Sequence, residues 1–401
     1  MGADPSNRPA APARNCLPPR HPPVLQNAPV IYLDHNASNP IAPSLLAAYE
    51  LGQREGWANP SSQHTPGRRS RALIEEAREQ VAGVFGAAPG AVTFTASGTE
   101  ALNQVLWTAA QGGRVLVSAV EHPAVLEALA GRAAAGAAQE ERLPVNASGR
   151  LQLSTLEVAL SKGGVDLVAV MAAQNEVGTL QPLEEIGACC AQAGVPFLID
   201  ATQALGRVER DWAATPWDYL VLSAHKLRAP RGAAAILHRG LAREPRPLIL
   251  GGGQELGRRA GTESVAAIVG LGAACAELHT GTLFDLPALR TQQARFEGAL
   301  LEACPGLVIL AAEAERLPQT TACLLPGSES ESLLVGLDLA GVHASAGSAC
   351  SSGALKPSHV LAAMGIPPEL AQGRLRFSFG PETPDSELAQ AVEALARLTS
   401  T

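Results

Sequence analysis

Of the 401 residues, no apolar stretch approaches the roughly 18 that a membrane span requires, no block of like charges is present, and no Cys-x-x-Cys pair occurs. The first absence argues against a membrane-spanning protein. The second, together with a formal net charge of −8, argues against a nucleic-acid groove or a basic membrane face and leaves a small molecule as the default substrate. The third removes the usual mark of a structural zinc site. The seven cysteines (Cys16, Cys189, Cys190, Cys275, Cys304, Cys323 and Cys350) are scattered and odd in number, so no disulfide framework is indicated and no metal site is expected. This usage suits a reducing cytosol, and a cytoplasmic location is expected. Residues 1–28 lack the apolar core of a signal peptide, and prolines at 5, 9, 12, 18, 19, 22 and 23 would spoil the helix of a transit peptide. They read as a disordered tail.

What is present is a core-forming chain, 46% hydrophobic, long enough for one large and one smaller domain. From residue 91 strands and helices alternate: strand 91–95 before helix 99–110, strand 114–118 before helix 123–135, strand 165–171 before helix 182–193, then strands 195–200 and 218–224. Such alternation predicts an α/β architecture, a mostly parallel sheet covered on both faces, with ligands outside the carboxyl ends of the strands. After Gly251-Gly252-Gly253 the pattern changes to helices interleaved with short strands, a smaller α+β domain. The expected division is 42–270 for the large domain, with 29–41 and 271–401 forming the small one.

Several chemically able groups fall at the predicted strand ends. Lys226 closes the apolar run 218–224, and an amine desolvated there would lose its proton and become a nucleophile; a surface lysine after a strand is the plain alternative. Ser97-Gly98-Thr99-Glu100 opens a helix, where free N–H groups and the helix dipole seat a phosphate, although an ordinary cap accounts for the same residues. Asp200 ends a strand, either to keep a ring nitrogen protonated or to cap the turn. Ser223 and His225 add a hydroxyl and an imidazole beside Lys226. His122 places a flat ring at the same edge, and His64, in a polar loop, reads as structural. Phosphate seat, acid and amine together describe a holder for pyridoxal phosphate. Cys350 lies in a run of small residues, 344–353, and reads as a thiol nucleophile or carrier rather than a core residue.

These stretches, in order, resemble the signature blocks of the cysteine desulfurases of the class V aminotransferase superfamily. The matching blocks are Tyr32-Leu33-Asp34, Asn59-Pro60-Ser61-Ser62, Thr99-Glu100, Glu121-His122, Asn175-Glu176-x-Gly178, Asp200-Ala201-x-Gln203, Ser223-Ala224-His225-Lys226, Gly251-Gly252-Gly253-Gln254-Glu255, Arg259-x-Gly261-Thr262-Glu263, Gly347-Ser348-Ala349-Cys350 and Arg376-Phe377-Ser378. The resemblance implies a fold type I, aspartate-aminotransferase-like homodimer. It implies Lys226 as the Schiff-base lysine, Asp200 on the pyridine nitrogen, Gln203 on the ring hydroxyl and His122 stacked on the ring. Gly98, Thr99, Ser223 and His225 would hold the phosphate, with Thr262 from the neighbouring subunit, and Asn36, Asn175 and Arg376 would bind the substrate carboxylate. It further implies conversion of L-cysteine to L-alanine, with Cys350 taking the sulfur as a persulfide. The sulfur then passes to an acceptor protein for iron-sulfur cluster assembly or thiolation, where Cys350 would meet the cluster as cargo. Departures from the family pattern are Ser38-Asn39 for two threonines, Gln174 for an Asn, Ala229 for a Gly, Arg231 for a Lys and Pro381 for an Arg. A selenocysteine lyase or another class V enzyme of the same fold is the alternative, discriminated by Cys350, and an inactive cofactor-binding assembly partner is a further one.

Overall fold

The computed structural model describes residues 30–278, 280–347 and 357–399; the expected tail over 1–28 and Cys350 lie outside the described residues. Seven strands form one sheet in the order Val92–Thr95, Ala234–His238, Tyr219–Ser223, Phe197–Asp200, Val165–Met171, Arg114–Ser118, Gln139–Leu143. All point the same way except Ala234–His238, which is antiparallel to both its neighbours. The central strands Phe197–Asp200 and Tyr219–Ser223 are buried at every position. Their near-continuous apolar sequences follow from having both faces covered. Tyr219 and Val221 join a cluster with Leu102, Leu106 and Leu129 of the helices Gly98–Ala109 and Pro123–Ala134, while Leu220 and Leu222 join Ile74, Phe85 and Leu271 on the opposite face. That is the period-two alternation of a strand.

Two strands and one α-helix of the large-sheet layer were not expected. Gln139–Leu143 (QEERL) is an edge strand paired only with Arg114–Ser118 and partly exposed along most of its length. Charges on an edge block further pairing, and they also erase the apolar pattern by which a strand is recognised. Ala234–His238 opens with alanines, which have little preference for a strand, and is held there by pairing on both sides. The helix Leu153–Ser161 also escaped the reading.

The second layer of the molecule is an antiparallel sheet of Val308–Ile309, Thr320–Leu324 and Arg374–Ser378, packed against the helices Leu286–Ala303, Ser330–Leu339 and Asp385–Thr399. Phe296 meets Phe377 and Phe379 edge to face there. The first described strand, Ile31–Tyr32, pairs in parallel with Val342–His343, and Asp34 bridges to Ser378. This pairing carries Asn36 to the large sheet. The helix Val265–Leu278 runs unbroken through residue 270 and crosses the helices Pro43–Glu55 and Thr65–Val84. The crossings are close because they use glycines: a Cβ on Gly52 would lie 2.7 Å from Ala266, and one on Gly272 would lie 2.6 Å from Ala77. No helix of the described residues is long and apolar enough to cross a membrane.

The helix Thr65–Val84 is tied to the sheet by a buried bidentate pair. Arg78 donates to both oxygens of Glu255 at 2.7 and 2.8 Å, and Glu255 also accepts from the Phe94 N–H at 2.8 Å. Glu255 sits at φ +50, a left-handed conformation unusual for a non-glycine residue, so the ion pair holds a strained turn in place. Removing Glu255 would leave the buried Arg78 with only the more exposed Glu75, 3.0 Å away, and the Val92 oxygen. Glu255→Ala is therefore expected to lower the unfolding free energy by about 3–5 kcal/mol, measured as a fall in the guanidinium chloride midpoint; an unshifted midpoint would show that the pair does not hold this layer.

Candidate active site

The carboxyl ends of the parallel strands open into a cavity of about 300 Å³ lined from the large sheet, the antiparallel sheet and the N-terminal strand region. Lys226 stands on the single turn Ala224–Leu227 that follows Tyr219–Ser223. Its Nζ donates to the backbone oxygens of Asn36 at 2.5 Å and Ala37 at 2.8 Å. Burial, then the nearby guanidinium groups of Arg207 and Arg376, push its pKa down to about 7. The amine is thus neutral in a large fraction of molecules at neutral pH, as a nucleophile requires.

Around it the expected groups converge. Asp200, at the end of its strand, accepts from the Thr202 N–H through Oδ1 at 2.9 Å, while Oδ2 takes no hydrogen bond from the described residues. The capping and site readings of this carboxylate are therefore compatible. His122 caps the helix Pro123–Ala134 by accepting the Ala124 N–H on Nδ1 at 3.0 Å. Burial lowers its pKa against the opposing pull of Asp200, so the ring is neutral and its proton belongs on Nε2. Gln203 is held at both ends: Nε2 donates to the Asn36 oxygen at 2.8 Å and Oε1 accepts from Arg207 at 2.6 Å.

Ser223 Oγ and His225 Nδ1 lie 3.0 Å apart beside the first turn of the helix Gly98–Ala109. Burial first, then Lys226, lower the His225 pKa to about 4. A Cβ on Gly98 would sit 3.5 Å from the Ser223 side chain and 3.7 Å from Thr202 Oγ1, and that hydroxyl is buried without a partner among the described residues. The result is a small cradle of N–H and hydroxyl groups at a helix N-terminus, the chemistry that holds a phosphate. Ser97 caps the helix through Glu100 N at 3.1 Å and leaves the remaining first-turn donors available.

Of the three residues expected to meet the substrate carboxylate, Arg376 comes from the antiparallel sheet, Asn36 follows the N-terminal strand and Asn175 stands on a turn of the large sheet. Arg376 pairs with Asp34 at 2.6 Å and donates to the backbone oxygens of Asn175 at 3.0 Å and Gly347 at 2.6 Å, while its buried Nε has no partner among the described residues. Asn175 lines the cavity. Asn36 also lines it, but its side-chain amide is turned to Thr320 and Gln319, and its backbone oxygen serves Lys226 and Gln203. Thr262 is exposed and lines a separate small hollow with Phe94 and Arg259. His64 caps the helix Thr65–Val84.

Four residues escaped sequence reasoning. Arg207 is wholly buried, makes no ion pair among the described residues, and donates to Gln203 and to the Lys226 oxygen at 2.8 Å; burial drops its pKa to about 9. Glu121 accepts from Ser118 Oγ and the Met171 N–H, and burial pushes its pKa up to about 8, so it is protonated near neutrality. His359 Nε2 donates to the Glu121 backbone oxygen at 3.0 Å and lines the cavity, as does Thr202. Glu121 stands in a block quoted for the resemblance, which was the one available signal. Two departures from the family pattern perform local work: Gln174 Oε1 accepts from the N–H groups of Glu176 and Val177, and Asn39 Nδ2 donates to the oxygens of His225 and Lys226.

The class V aminotransferase family matches residues 31–390. A cysteine desulfurase of Nostoc sp. is 38% identical over 374 residues, 92% of each protein. One of Enterobacter agglomerans is 39% identical over 372 residues, 91% of each. The solved structure of a NifS-like protein from Rickettsia africae superposes with a TM-score of 0.83 at 30% identity, covering 93% of this chain and all of that one. The chain belongs to the class V aminotransferase family and, within it, to the cysteine desulfurases.

Proposed function

We propose that this protein converts L-cysteine to L-alanine with pyridoxal 5′-phosphate and takes the sulfur onto Cys350. The observation that carries the reading is the convergence of a desulfurase residue set on one cavity: His122, Asp200, Gln203, Ser223, His225, Lys226 and Arg376, with an amine whose pKa lies near 7. The phosphate of the cofactor would rest on Gly98, Thr99, Ser223, His225 and Thr202. Asp200 would face its ring nitrogen, Gln203 its ring hydroxyl and His122 its ring face, and Lys226 would hold it covalently. When bound, it supplies an electron sink for the carbanion formed at the substrate α-carbon.

The chain's own groups do the rest. Arg376, with its forked guanidinium, and Asn175 orient the substrate carboxylate, and Asn36 braces Lys226 and Gln203 through its backbone oxygen. Lys226 removes the α-proton and later returns a proton. The Cys350 thiolate attacks the substrate sulfur: a sulfur–sulfur bond forms, the carbon–sulfur bond breaks, and its electron pair stays with the carbon that becomes the methyl group of alanine. One cysteine and one protein thiol thus give one alanine and one protein persulfide. An acceptor protein, an iron-sulfur scaffold or a thiolation enzyme, would remove the sulfur. A homodimer in which Thr262 reaches the neighbouring phosphate completes the proposal, and the free thiols Cys189, Cys190, Cys275, Cys304 and Cys323 favour a cytoplasmic setting.

Alanine release from L-cysteine in the presence of a thiol reductant tests the reading. The parent is expected to turn over and Cys350→Ala to lose at least about 100-fold while keeping the same yellow cofactor absorbance, as expected when an essential nucleophile is removed. Full activity in that variant would replace persulfide transfer with another class V reaction. Reconstitution of the cofactor-free protein gives a second check. Because the neutral amine is the reactive form, the rate of cofactor capture should climb as pH rises through about 7 and level off above it. A rate still climbing toward pH 10 would place the Lys226 amine in water-like surroundings.

A further inference from the structure

We propose that Arg207 is a positioning residue for Lys226: its buried guanidinium, without an acidic partner among the described residues, is fixed in a ring of hydrogen bonds that begins and ends on the lysine, and so keeps an uncompensated positive charge beside the amine. This rests on the desulfurase reading above, in which Lys226 holds the cofactor and moves the α-proton.

Arg207 Nη2 donates to the Lys226 backbone oxygen at 2.8 Å, and Nη1 donates to Gln203 Oε1 at 2.6 Å. With its oxygen taken, Gln203 turns Nε2 to the Asn36 backbone oxygen at 2.8 Å, and that same oxygen accepts from Lys226 Nζ at 2.5 Å. Reversing the Gln203 amide would set its NH₂ group against the guanidinium and its oxygen against the Asn36 carbonyl, so one orientation is fixed at both ends. Arg207 thus holds the turn that carries the lysine and, through Gln203, braces the acceptor that aims its amine. The face of Phe284, 5.4 Å from the guanidinium carbon, completes the enclosure.

The charges around the amine give this placement its consequence. Beyond burial itself, Arg207 and Arg376 oppose the cationic form of Lys226, while Asp34 and Asp200 favour it. Arg376 and Asp34 are paired at 2.6 Å, so their effects at the lysine largely cancel. The rings of His122 and His225, which also feel Lys226, are kept neutral first by burial. Arg207 is therefore the cation that nothing balances, set against the single anion Asp200. Burial lowers its own pKa only to about 9, which leaves it charged at neutral pH. Removing that charge should raise the Lys226 pKa from about 7 toward the usual lysine range.

The lysine can be read directly, because the chain has only three, Lys162, Lys226 and Lys356. The cofactor-free full-length protein is labelled briefly with acetic anhydride across a pH series, and the label at Lys226 is measured by mass spectrometry with the exposed Lys162 as internal reference. In the parent, Lys226 labelling should reach half its plateau near pH 7. In Arg207→Met the midpoint is expected to rise by about one pH unit, which is a fall of roughly fivefold in labelling at pH 7. The pH profile of cofactor capture should move with it. Arg207→Lys, which keeps the charge, should stay within about half a unit of the parent. An unmoved midpoint in Arg207→Met, or an equal rise in Arg207→Lys, overturns the proposal, the second because lost packing would then account for the shift. If Arg207→Met does not fold, Arg207→Gln decides in its place, with the same expectation. Labelling needs neither cofactor nor turnover, so its outcome is separate from that of the desulfurase reading, which fails if the loaded parent releases no alanine.

Discussion

Keeping the Lys226 amine out of water at the end of a fully buried strand is the constraint on which the site depends. A cation placed there loses hydration that the protein does not fully replace, and two guanidinium groups, Arg207 and Arg376, add repulsion. The neutral form is the economical one. Backbone oxygens of Asn36 and Ala37 still accept from Nζ, so the amine is aimed as well as deprotonated. A doubly covered parallel sheet makes this possible, because its strand ends lie at the bottom of a crevice and not on an open surface.

The two parts of the chain divide the chemistry between them. Loops of the large sheet carry the phosphate cradle, Asp200, His122 and Lys226. The antiparallel sheet contributes Arg376, and the N-terminal strand contributes Asn36 through its pairing with Val342–His343. A site built across such a seam needs struts. Arg376 serves as one: a single guanidinium spans Asp34, Asn175 and Gly347, linking the N-terminal strand, a large-sheet turn and the flank of the Cys350 segment. Arg207 is another, fastening the Lys226 turn to Gln203. Without an acidic partner among the described residues, it is costly to bury, and the cost is offset by hydrogen bonds and by the Phe284 face 5.4 Å from its carbon.

The legible part of the fold was the part whose pattern reports its own environment. Tyr219–Ser223 and Phe197–Asp200 are apolar throughout because they are covered on both faces, and the helix Thr65–Val84 has one apolar stripe because one side meets the core. Gln139–Leu143 has no such pattern: it sits at an edge, and its charges answer to solvent. The departures from the family pattern behaved similarly. Gln174 and Asn39 stand in the sequence only as departures, yet each supplies hydrogen bonds that fix a turn at the site, a service that any amide of suitable reach can perform.

From the sequence alone it follows that a lysine, an aspartate and a helix opening stand at strand ends, and that Cys350 lies in a small-residue run. Hydrophobic periodicity and turn chemistry are local, so they survive in one dimension. Only the tertiary structure decides the partners and the electrostatics. Asp34 and Arg376, 342 positions apart, form a pair because two strands meet. Glu121 is protonated because packing removes its water, and Arg207 acts on Lys226 because a turn folds beneath it. Desolvation and long-range pairing depend on what the rest of the chain places nearby, and no local run of residues records that.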